Sequence, residues 1–390
     1  MYYLKQILQQ TEEISIKEIV IDRNLAKNIY EICKQYSNNI LLVADENTAK
    51  LLDRSIFSKV SNLIITGNSI ALVELVKNTA RDKELIVAFG SGTVNDICKY
   101  ASYLAEKDYI SFPTAASMNG YTSKNASILV NEHKKSFHAH LAKAIYIDTD
   151  ILINSPLRLT LSGFADFMCR STVQADWLLS HLLLGTEYNT LPFTSVYEIE
   201  QILLKEYMGL STRSVEIILL LTEALLISGI GMVIAKGSHS ASQGEHMIAH
   251  AMEMLIKDYS SLHGEKVAVA TITMANLQEK ILSMQNLTFK PTYISMDYIL
   301  NNHEFREILE QKQALHQKTI GENWQDISHE IKKNLLPAVY LQKIFADLSI
   351  PYLPEHLGWN SEQYYQIVNS AFATRDRFTF LDLAFLLDIL

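Results

Sequence analysis

Residues 85–112, LIVAFGSGTVNDICKYASYLAEKDYISF, carry the pattern that predicts the fold of this chain. The stretch begins with the apolar run Leu85–Phe89, passes through a short glycine-containing loop into the helix-like segment Val94–Ala105, and ends in the apolar run Tyr109–Phe112. A strand, a helix and a strand in that order are typical of a parallel sheet with helices on its faces. Because the apolar runs do not alternate with polar residues, they indicate strands buried on both sides.

The same alternation covers the first part of the chain, with apolar runs recurring roughly every 22 residues. These runs are Ile19–Ile21, Ile40–Val43, Leu63–Ile65, Leu85–Phe89, Tyr109–Phe112 and Ala144–Ile147. The alternation stops after Asp148, and helical patterns dominate from Pro156 onward. We therefore predict an α/β domain over residues 1–153, with a parallel sheet, and an all-helical domain over residues 154–390. An active site is expected in a cleft between two such domains.

Composition narrows the class of protein. A chain of 390 residues with 48% apolar and 20% charged residues is typical of a folded globular protein and is long enough for two domains. The formal net charge of −9, without a compensating basic stripe, argues against a nucleic-acid partner. The cysteines, Cys33, Cys98 and Cys169, are too few and too scattered for a disulfide framework or a cysteine zinc site. They are expected to be buried in a reducing cytoplasm.

Two stretches bear on membrane association. The N-terminal residues 1–13 are polar and lack the apolar core of a signal peptide. Residues 215–233 approach the length of a membrane span, but they include Glu216 and Glu223 and end in a Gly-Ile-Gly sequence. We therefore predict a buried core helix there, no membrane insertion and a cytoplasmic location.

Polar residues follow three of the predicted strands, at the edge where ligands bind in parallel sheets. Asp45 comes after the second strand and could accept hydrogen bonds from a ribose or cap the next helix. The segment Gly90–Asp96, GSGTVND, could bring a phosphate close to the backbone, although it is not a full G-x-G-x-x-G pattern. The segment Pro113–Ser123, PTAASMNGYTS, could line a cofactor pocket or form an ordinary turn rich in serine and threonine.

The second half of the chain has a histidine-rich stretch, Ser238–His263. His246 and His250 are four residues apart, so a helix would place both imidazoles on one face. These two, with His263 from a neighbouring element, could supply most of a divalent-metal site. The alternative is a helix that carries solvated histidines. Asp166, in a largely apolar segment, could likewise be a cap, a partner for Arg170 or a metal ligand.

Together these motifs resemble the sn-glycerol-1-phosphate dehydrogenases, and most closely their bacterial branch. That family lies in the superfamily of glycerol dehydrogenase, iron-containing alcohol dehydrogenases and dehydroquinate synthase. The matching segments appear in the order of the family and span most of the chain. They are GSGTVND (90–96), SFPTAASMNGYTS (111–123), SGFADFMCRSTVQADWLLSH (162–181), GSHSASQGEHMIAH (237–250), LHGEKVAVAT (262–271) and RDRFTFLDLA (375–384).

The resemblance implies a dehydroquinate synthase-like fold and a metal-dependent NAD(P)H oxidoreductase that reduces dihydroxyacetone phosphate to sn-glycerol 1-phosphate. Asp166, His246 and His263 match the three protein ligands of a catalytic zinc or nickel ion, which would polarise the C2 carbonyl of the substrate. His250 matches the second histidine of the helix pair, outside the ligand set. It would orient the substrate or relay a proton.

The resemblance also implies that residues 1–153 form a dinucleotide-binding domain with a parallel Rossmann-like sheet, which binds NAD(H) or NADP(H). Asp45 matches the position that faces the adenosine ribose, which favours NAD without excluding NADP. The other implied cofactor-binding residues are Gly90, Ser91, Gly92, Thr93, Asp96, Thr114, Ser117 and Ser123. Candidate contacts for the substrate phosphate are Ser123, Lys124 and Lys134. The expected partners are a small phosphorylated substrate and further copies of the chain in a homodimer or larger homo-oligomer.

Two positions depart from the family pattern. Asn119 stands where the family usually has an aspartate, and an amide lacks the basicity that a carboxylate would bring to proton transfer. Gln243 stands where a glycine is common and could narrow the pocket beside the metal helix. Asn119 could still position the substrate, with His250 or water carrying the proton. The alternatives are a dehydrogenase for an unphosphorylated polyol such as glycerol and a homologue with impaired catalysis.

Overall fold

The computed structural model describes residues 2–11, 13–131, 133–256, 258, 260–288, 312 and 323–389. Its contacts divide the chain into two compact units. The first unit comprises Met1–Phe164 and Thr194–Lys236, and the second comprises Ala165–Phe193 and Gly237–Leu390. The helices of residues 194–236 therefore pack with the α/β part of the chain. The domain boundary at residues 153 and 154 stays a prediction.

The first unit is built on a parallel sheet formed by the six predicted apolar runs. In chain order the strands of this unit are β1 Glu18–Asp22, β2 Ile40–Asp45, β3 Ser61–Ile65, β4 Leu85–Gly90, β5 Asp108–Pro113, β6 Asn125–Val130, β7 His133–His138 and β8 Ala144–Asp148. The sheet has the order β1-β8-β5-β4-β2-β3, and all of its pairings are parallel. Every residue of β4 and β8 is buried, as expected for strands covered on both faces. The predicted α/β fold class is confirmed.

The remaining two strands, β6 and β7, form a separate antiparallel pair. This pair lies outside the predicted strands because β7, with the sequence HKKSFH, has no apolar run to mark it. Its position matters for the site. The pair follows directly on the loop Pro113–Ser123, and the two elements share hydrogen bonds described below.

Helices cover the sheet and continue the first unit. The helices of the chain up to residue 168 are α1 Tyr2–Gln9, α2 Ile29–Lys34, α3 Ile56–Lys59, α4 Ile70–Thr79, α5 Gly92–Leu104, α6 Thr149–Asn154 and α7 Leu157–Met168. The last four residues of α7 belong to the second unit. The next two helices along the chain are α8 Arg170–Leu184 and α9 Leu191–Thr194. Three helices that follow them belong to the first unit: α10 Tyr197–Glu206, α11 Met208–Ser211 and α12 Val215–Ile234.

Helix α12 is the apolar segment that the sequence placed in a core. It is long and apolar enough to cross a membrane by length and composition, yet 78% of its most hydropathic window is buried inside the protein. The buried carboxylate of this helix, Glu223, has a hydrogen-bond partner, because its Oε1 accepts a hydrogen bond of 2.8 Å from the backbone N–H of Leu4. The prediction of a buried core helix is confirmed.

The described part of the second unit is helical. After α8, its helices are α13 Gly244–Ile256, α14 His263–Leu282, α15 Trp324–Lys332, α16 Ala338–Asp347, α17 Ser361–Ala371 and α18 Phe380–Leu387. A cluster of buried apolar side chains from α8, α13, α14, α17 and α18 forms its core. Short 3-10 turns precede several helices, including Ser238–Ser240 before α13 and Phe372–Thr374 before α18.

Candidate active site

The turn from β4 into α5 carries the glycine-containing segment of the predicted cofactor site. Ser91 is the residue before α5, and Gly92 and Thr93 form its first turn, where backbone N–H groups have no partner within the helix. Thr93 is exposed. A Cβ at Gly92 would lie 2.9 Å from Met118 Sδ, so a larger residue there would require the Met118 side chain to shift. Backbone donors at an accessible helix N-terminus suit a phosphate.

Asp45 caps the turn that follows β2. Its Oδ1 accepts hydrogen bonds from the backbone N–H groups of Asn47 at 2.8 Å and Thr48 at 2.9 Å. Oδ2 accepts none from the residues that the structure describes. The carboxylate thus has the capping role that the sequence allowed, and one of its oxygens is left for a ligand hydroxyl.

Asp96 is held inside the protein. Its Oδ2 accepts a hydrogen bond of 3.0 Å from the backbone N–H of Ser127, and its Oδ1 lies 3.7 Å from Lys99 Nζ. Burial raises the pKa of Asp96, and the charge of Lys99 opposes that shift. The side chain therefore serves to join α5 to β6 within the first unit.

Lys99 is a residue that the sequence analysis overlooked. It is fully buried, and its Nζ donates to the carbonyls of Gly120 at 2.5 Å and Asn125 at 2.9 Å. Both carbonyls belong to the end of the loop Pro113–Ser123 or to the strand after it. The sequence contains an indication of this role, because Lys99 lies among the apolar residues on the buried face of α5. Lys99 holds this loop against α5.

The loop itself is tightly packed. Ser123 Oγ donates to the carbonyls of Gly120 and Asn125, both at 3.2 Å, and Thr114 is buried. Ser117 Oγ lies 3.4 Å from the hydroxyl of Tyr121. These contacts fix the backbone of the segment that carries the predicted cofactor-binding hydroxyls.

Asn119 lies where this loop meets α12. Its Nδ2 lies 3.4 Å from Ser228 Oγ, and Thr122 Oγ1 donates to the carbonyl of Leu226 at 2.7 Å. A Cβ at Gly229 would overlap both Thr122 Oγ1 and the carbonyl oxygen of Asn119. Gly229 therefore permits a close approach between loop and helix. Lys124 and Lys134 are both partly exposed.

The second unit contains a compact group of side chains that could hold a metal ion. Asp166 comes from α7, His246 from α13 and His263 from the first residue of α14. Asp166 Oδ1 lies 3.4 Å from His246 Nε2 and 3.7 Å from His263 Nε2, and one ligand atom from each residue lies within 4.8 Å of the other two. One carboxylate and two imidazoles form the N/O donor set of a catalytic divalent metal with open positions for substrate.

Glu245 orients the first of these histidines. Its Oε1 accepts hydrogen bonds from His246 Nδ1 and from the backbone N–H of Gln243, both at 2.8 Å, and its Oε2 accepts from Thr172 Oγ1 at 3.1 Å. With Nδ1 bound to a carboxylate, Nε2 is directed toward Asp166. A ligating histidine commonly has such a partner on its other nitrogen. The residues present therefore fit a metal ion.

The charges around His246 act in opposite directions. Burial alone would lower its pKa, but hydrogen bonds and negative charge from Asp166 and Glu245 outweigh burial and raise it. A second cluster of possible ligands contains Cys169, Glu245 and His246. Burial and nearby carboxylates raise the pKa of Cys169 well above its usual value, and its Sγ donates to the backbone carbonyl of Asp166 at 3.0 Å. The group of Asp166, His246 and His263 is the one that the sequence predicts as a metal site.

His250 lies beside this group. Its ring centroid is 5.9 Å from that of His263, and its Nδ1 is 3.2 Å from Glu253 Oε2. Burial lowers the pKa of His250 to about 3, and the positive charge of Arg375 contributes. His250 is therefore neutral at neutral pH. An Nδ1–H donated to Glu253 leaves the lone pair of Nε2 as an acceptor.

The comparisons with known proteins agree on a family. Residues 20–156 match the family model described as iron-containing alcohol dehydrogenase. The chain is 31% identical over 268 residues to glycerol-1-phosphate dehydrogenase [NAD(P)+] of Methanoculleus marisnigri, covering 66% of this chain and 74% of that protein. It is 30% identical over 279 residues to the protein of the same name from Geobacillus thermodenitrificans, covering 66% and 69%.

The solved structures show the same fold. A probable glycerol dehydrogenase from Sinorhizobium meliloti superimposes with a TM-score of 0.66 at 14% identity, covering 96% of this chain and 95% of that one. At that identity the match bears on the fold alone. The predicted dehydroquinate synthase-like architecture is thereby supported from sequence and from structure.

Proposed function

This chain belongs to the glycerol-1-phosphate dehydrogenase [NAD(P)+] family, and from that membership we propose that it interconverts dihydroxyacetone phosphate and sn-glycerol 1-phosphate with NAD(H) or NADP(H). The observation that carries the proposal is the convergence of Asp166, His246 and His263 within 4.8 Å in one unit. Three ligands, with no fourth in the group among the described residues, suit a metal that also takes substrate oxygens.

We propose that Asp166, His246 and His263 hold a zinc or nickel ion. When bound, such an ion polarises the carbonyl group that accepts the hydride. Glu245 keeps the imidazole of His246 in the orientation that binds, and its negative charge raises the basicity of that ligand. A divalent cation would also offset the negative charges of Asp166 and Glu245, which lie within reach of the same imidazole.

His250 is proposed to orient the substrate. A neutral imidazole whose Nδ1–H is bound to Glu253 presents Nε2 as an acceptor, which suits a hydroxyl group of dihydroxyacetone phosphate. Burial lowers the pKa of His250 to about 3, so the ring is neutral, and with its one N–H at Nδ1 bound to Glu253 it has no proton on Nε2 to donate. The proton that completes reduction at the C2 oxygen then comes from water, which His250 can help to position.

The cofactor is proposed to bind at the carboxyl edge of the parallel sheet. The start of α5, at Ser91, Gly92 and Thr93, would receive the pyrophosphate, and Asp45 Oδ2 the adenosine ribose. Thr114 and Ser117 would line the site further in. Asp96 would act through the loop that it and Lys99 hold, since its carboxylate is already bound within the protein.

The activity is tested with purified protein, dihydroxyacetone phosphate and either NADH or NADPH. The metal is first removed by chelation, and then zinc or nickel is added back. We expect oxidation of the nicotinamide that depends on both metal and substrate, and that Asp166→Asn abolishes. His329→Asn, at an exposed histidine of α15, is the matched control and should keep full activity. Absence of turnover with either cofactor and either metal would refute the proposal.

Asn119 supports one alternative, a homologue with impaired catalysis. Its amide occupies the position where the family usually has a carboxylate. In that case the protein would bind nucleotide and metal without turnover. Glycerol-type dehydrogenase activity is separated by the same assay, run with dihydroxyacetone in place of its phosphate.

Two further features of the enzyme are proposed on the family's general character. We expect a cytoplasmic enzyme, consistent with the buried thiols of Cys33, Cys98 and Cys169. We also expect a homodimer or larger homo-oligomer, which light scattering on the purified protein would measure directly.

A further inference from the structure

Two arginines of the second unit lie at the start of its last helix and contact the segment before α13. Arg375 Nη1 donates to Ser242 Oγ at 2.9 Å. Arg377 donates through Nη2 to Ser238 Oγ at 2.7 Å and through Nη1 to the carbonyl of Ser242. Both arginine side chains are half-buried. We call Arg375, Arg377, Ser238 and Ser242 the arginine cluster.

The positive charges of the arginine cluster lack direct compensation. Every hydrogen bond that the described residues accept from Arg375 and Arg377 ends on a neutral hydroxyl or carbonyl oxygen. Across the described ranges, neither arginine has a carboxylate oxygen within the 4.0 Å of an ion pair. Burial lowers the pKa of Arg377 to about 9, and the charge of Arg375 adds to the effect. Two like charges that are partly removed from water, with no carboxylate in hydrogen-bonding contact, are stabilised when an anion joins them.

The arginine cluster is beside the proposed metal ligands. Ser242 is four residues before His246, and Arg375 is close enough to His250 to lower its pKa. Arg375 also experiences the negative charges of Glu245 and Glu253. Those two carboxylates are themselves engaged, Glu245 by His246 and Glu253 by Lys266 Nζ at 3.5 Å.

The charge balance of this region favours an anionic ligand. The carboxylates of Asp166, Glu245 and Glu253 are matched in number by the cations Arg375, Arg377 and Lys266. With a divalent ion on Asp166, His246 and His263, the region would have a net positive charge. A phosphate monoester at neutral pH has a negative charge of about the same size and would neutralise it. A polyol without a phosphate would leave that charge unmatched.

We infer that Arg375 and Arg377 bind the phosphate group of the substrate and make the enzyme select a phosphorylated ketone over its unphosphorylated form. The inference rests on the proposed function for the identity of the substrate. A planar guanidinium presents paired N–H donors that match phosphate oxygens, and the bonds to Ser238 and Ser242 fix its plane. This assignment of the phosphate to the two arginines differs from the sequence-based expectation that Lys124 and Lys134 of the first unit bind it.

Binding is tested first without catalysis. Inorganic phosphate is titrated into the zinc-loaded protein in the absence of nucleotide, and its affinity is measured by calorimetry for the wild type and for Arg375→Gln, Arg377→Gln and Lys124→Gln. We expect each arginine variant to lose roughly 10- to 100-fold in affinity, the range for one charge-assisted contact, and Lys124→Gln to lose little. Arg81→Gln, at an exposed position of the first unit, controls for loss of a positive charge.

Selectivity is tested next by kinetics. The ratio of kcat/KM for dihydroxyacetone phosphate to that for dihydroxyacetone should fall by roughly the same factor in the arginine variants, because only the phosphorylated substrate loses a contact. Arg375→Lys keeps the charge but not the paired donors and should recover part of the ratio. Zinc content and the thermal midpoint are measured on every variant to separate misfolding from lost contacts.

The two experiments can distinguish failure of the proposed function from failure of the proposed anion site. A wild type that binds phosphate through the arginines but does not turn over dihydroxyacetone phosphate would refute the proposed function and keep the anion site. Phosphate affinity that is unchanged in folded, zinc-loaded Arg375→Gln and Arg377→Gln would refute the arginine cluster as an anion site. A loss confined to Lys124→Gln would assign the phosphate to the first unit instead.

Discussion

At the scale of single residues, the properties of His246 depend on a neighbour in the sequence. Glu245 is fully buried and bonds to His246 Nδ1, to the N–H of Gln243 and to Thr172. A buried carboxylate with three donors is stable only because those donors are in place. One side chain thus fixes both the direction of the imidazole and the start of α13.

We predict that Glu245→Gln weakens zinc binding by about 10- to 100-fold, because the amide keeps a hydrogen bond to His246 but removes the negative charge that raises its basicity. Competition with a chromophoric chelator measures the affinity directly. Glu330→Gln, at an exposed position of α15, should bind zinc like the wild type. Equal zinc affinities for Glu245→Gln and the wild type would show that Glu245 only supports the fold.

By its resemblance to the family, the sequence has Asn119 where an aspartate is expected. Its amide nitrogen is 3.4 Å from Ser228 Oγ, and it lies in the loop that Lys99 holds. We predict that Asn119→Asp raises kcat/KM, by up to about 100-fold if proton transfer limits the reaction, because a carboxylate adds a basic group at that position. The variant should also gain an acidic limb in its pH–rate profile. Asn131→Asp is the exposed control. A fall in activity with no new limb would show that the amide is the functional group here.

At the scale of elements, Asp176 of α8 joins the starts of two other helices. Its Oδ2 accepts from the N–H of Gly244, the first residue of α13, and its Oδ1 from the N–H of Phe380, the first residue of α18, both at 2.9 Å. Gln278 of α14 donates to Oδ1 as well, at 3.3 Å. The carboxylate therefore satisfies unpaired backbone donors at two helix N-termini.

The same carboxylate predicts a dependence of stability on pH. Burial, with the charge of Glu245, raises the pKa of Asp176 from 3.8 to about 8. An acid whose pKa is higher in the folded protein holds its proton more tightly there than in the unfolded chain. Asp176 therefore stabilises the folded state most below about pH 4, and this contribution is lost as the pH rises toward about 8.

We predict that Asp176→Asn reduces this pH dependence, because an amide does not titrate, and that it lowers the free energy of unfolding by about 1–3 kcal/mol above about pH 8, where its NH₂ replaces a carboxylate oxygen that accepts a backbone N–H. Denaturant unfolding of the metal-free protein at several pH values measures both effects. Asp347→Asn, at the end of α16, is the control, since its ion pair with Lys343 is exposed. A pH dependence that survives unchanged in Asp176→Asn would contradict the assignment.

At the scale of the whole molecule, the proposed metal ligands come from three helices: α7, α13 and α14. An ion that binds them only when the chain is folded stabilises the folded state by mass action, about 4 kcal/mol at a thousandfold excess over Kd. We predict that zinc raises the thermal midpoint by several degrees and that a chelator reverses the shift. Asp166→Asn should abolish the response, whereas His329→Asn should retain it. A zinc-induced shift in Asp166→Asn equal to that of the wild type would place the ion elsewhere.

Local sequence patterns were enough for the elements that bury long apolar runs. The six runs between Ile19 and Ile147 all became strands of one parallel sheet, and the apolar segment at 215–233 became the buried helix α12. Such patterns show which side chains of a segment are buried away from water, and they can be recognised in the sequence of that segment alone. The hairpin of β6 and β7 was not predicted, because β7 is polar and its pairing depends on the strand beside it.

The sequence by itself determined where the strands and the core helix run, and its motifs were sufficient to nominate Asp166, His246 and His263 as a ligand set. Only the tertiary structure brought Asp166 within 3.4 Å of His246, and it alone placed Arg377 against Ser238 and Lys99 under the loop of Asn119. The reason is physical. Whether a segment buries its side chains depends largely on its own pattern of polar and apolar residues, whereas the partners of a hydrogen bond or of a buried charge are groups that only folding brings beside it.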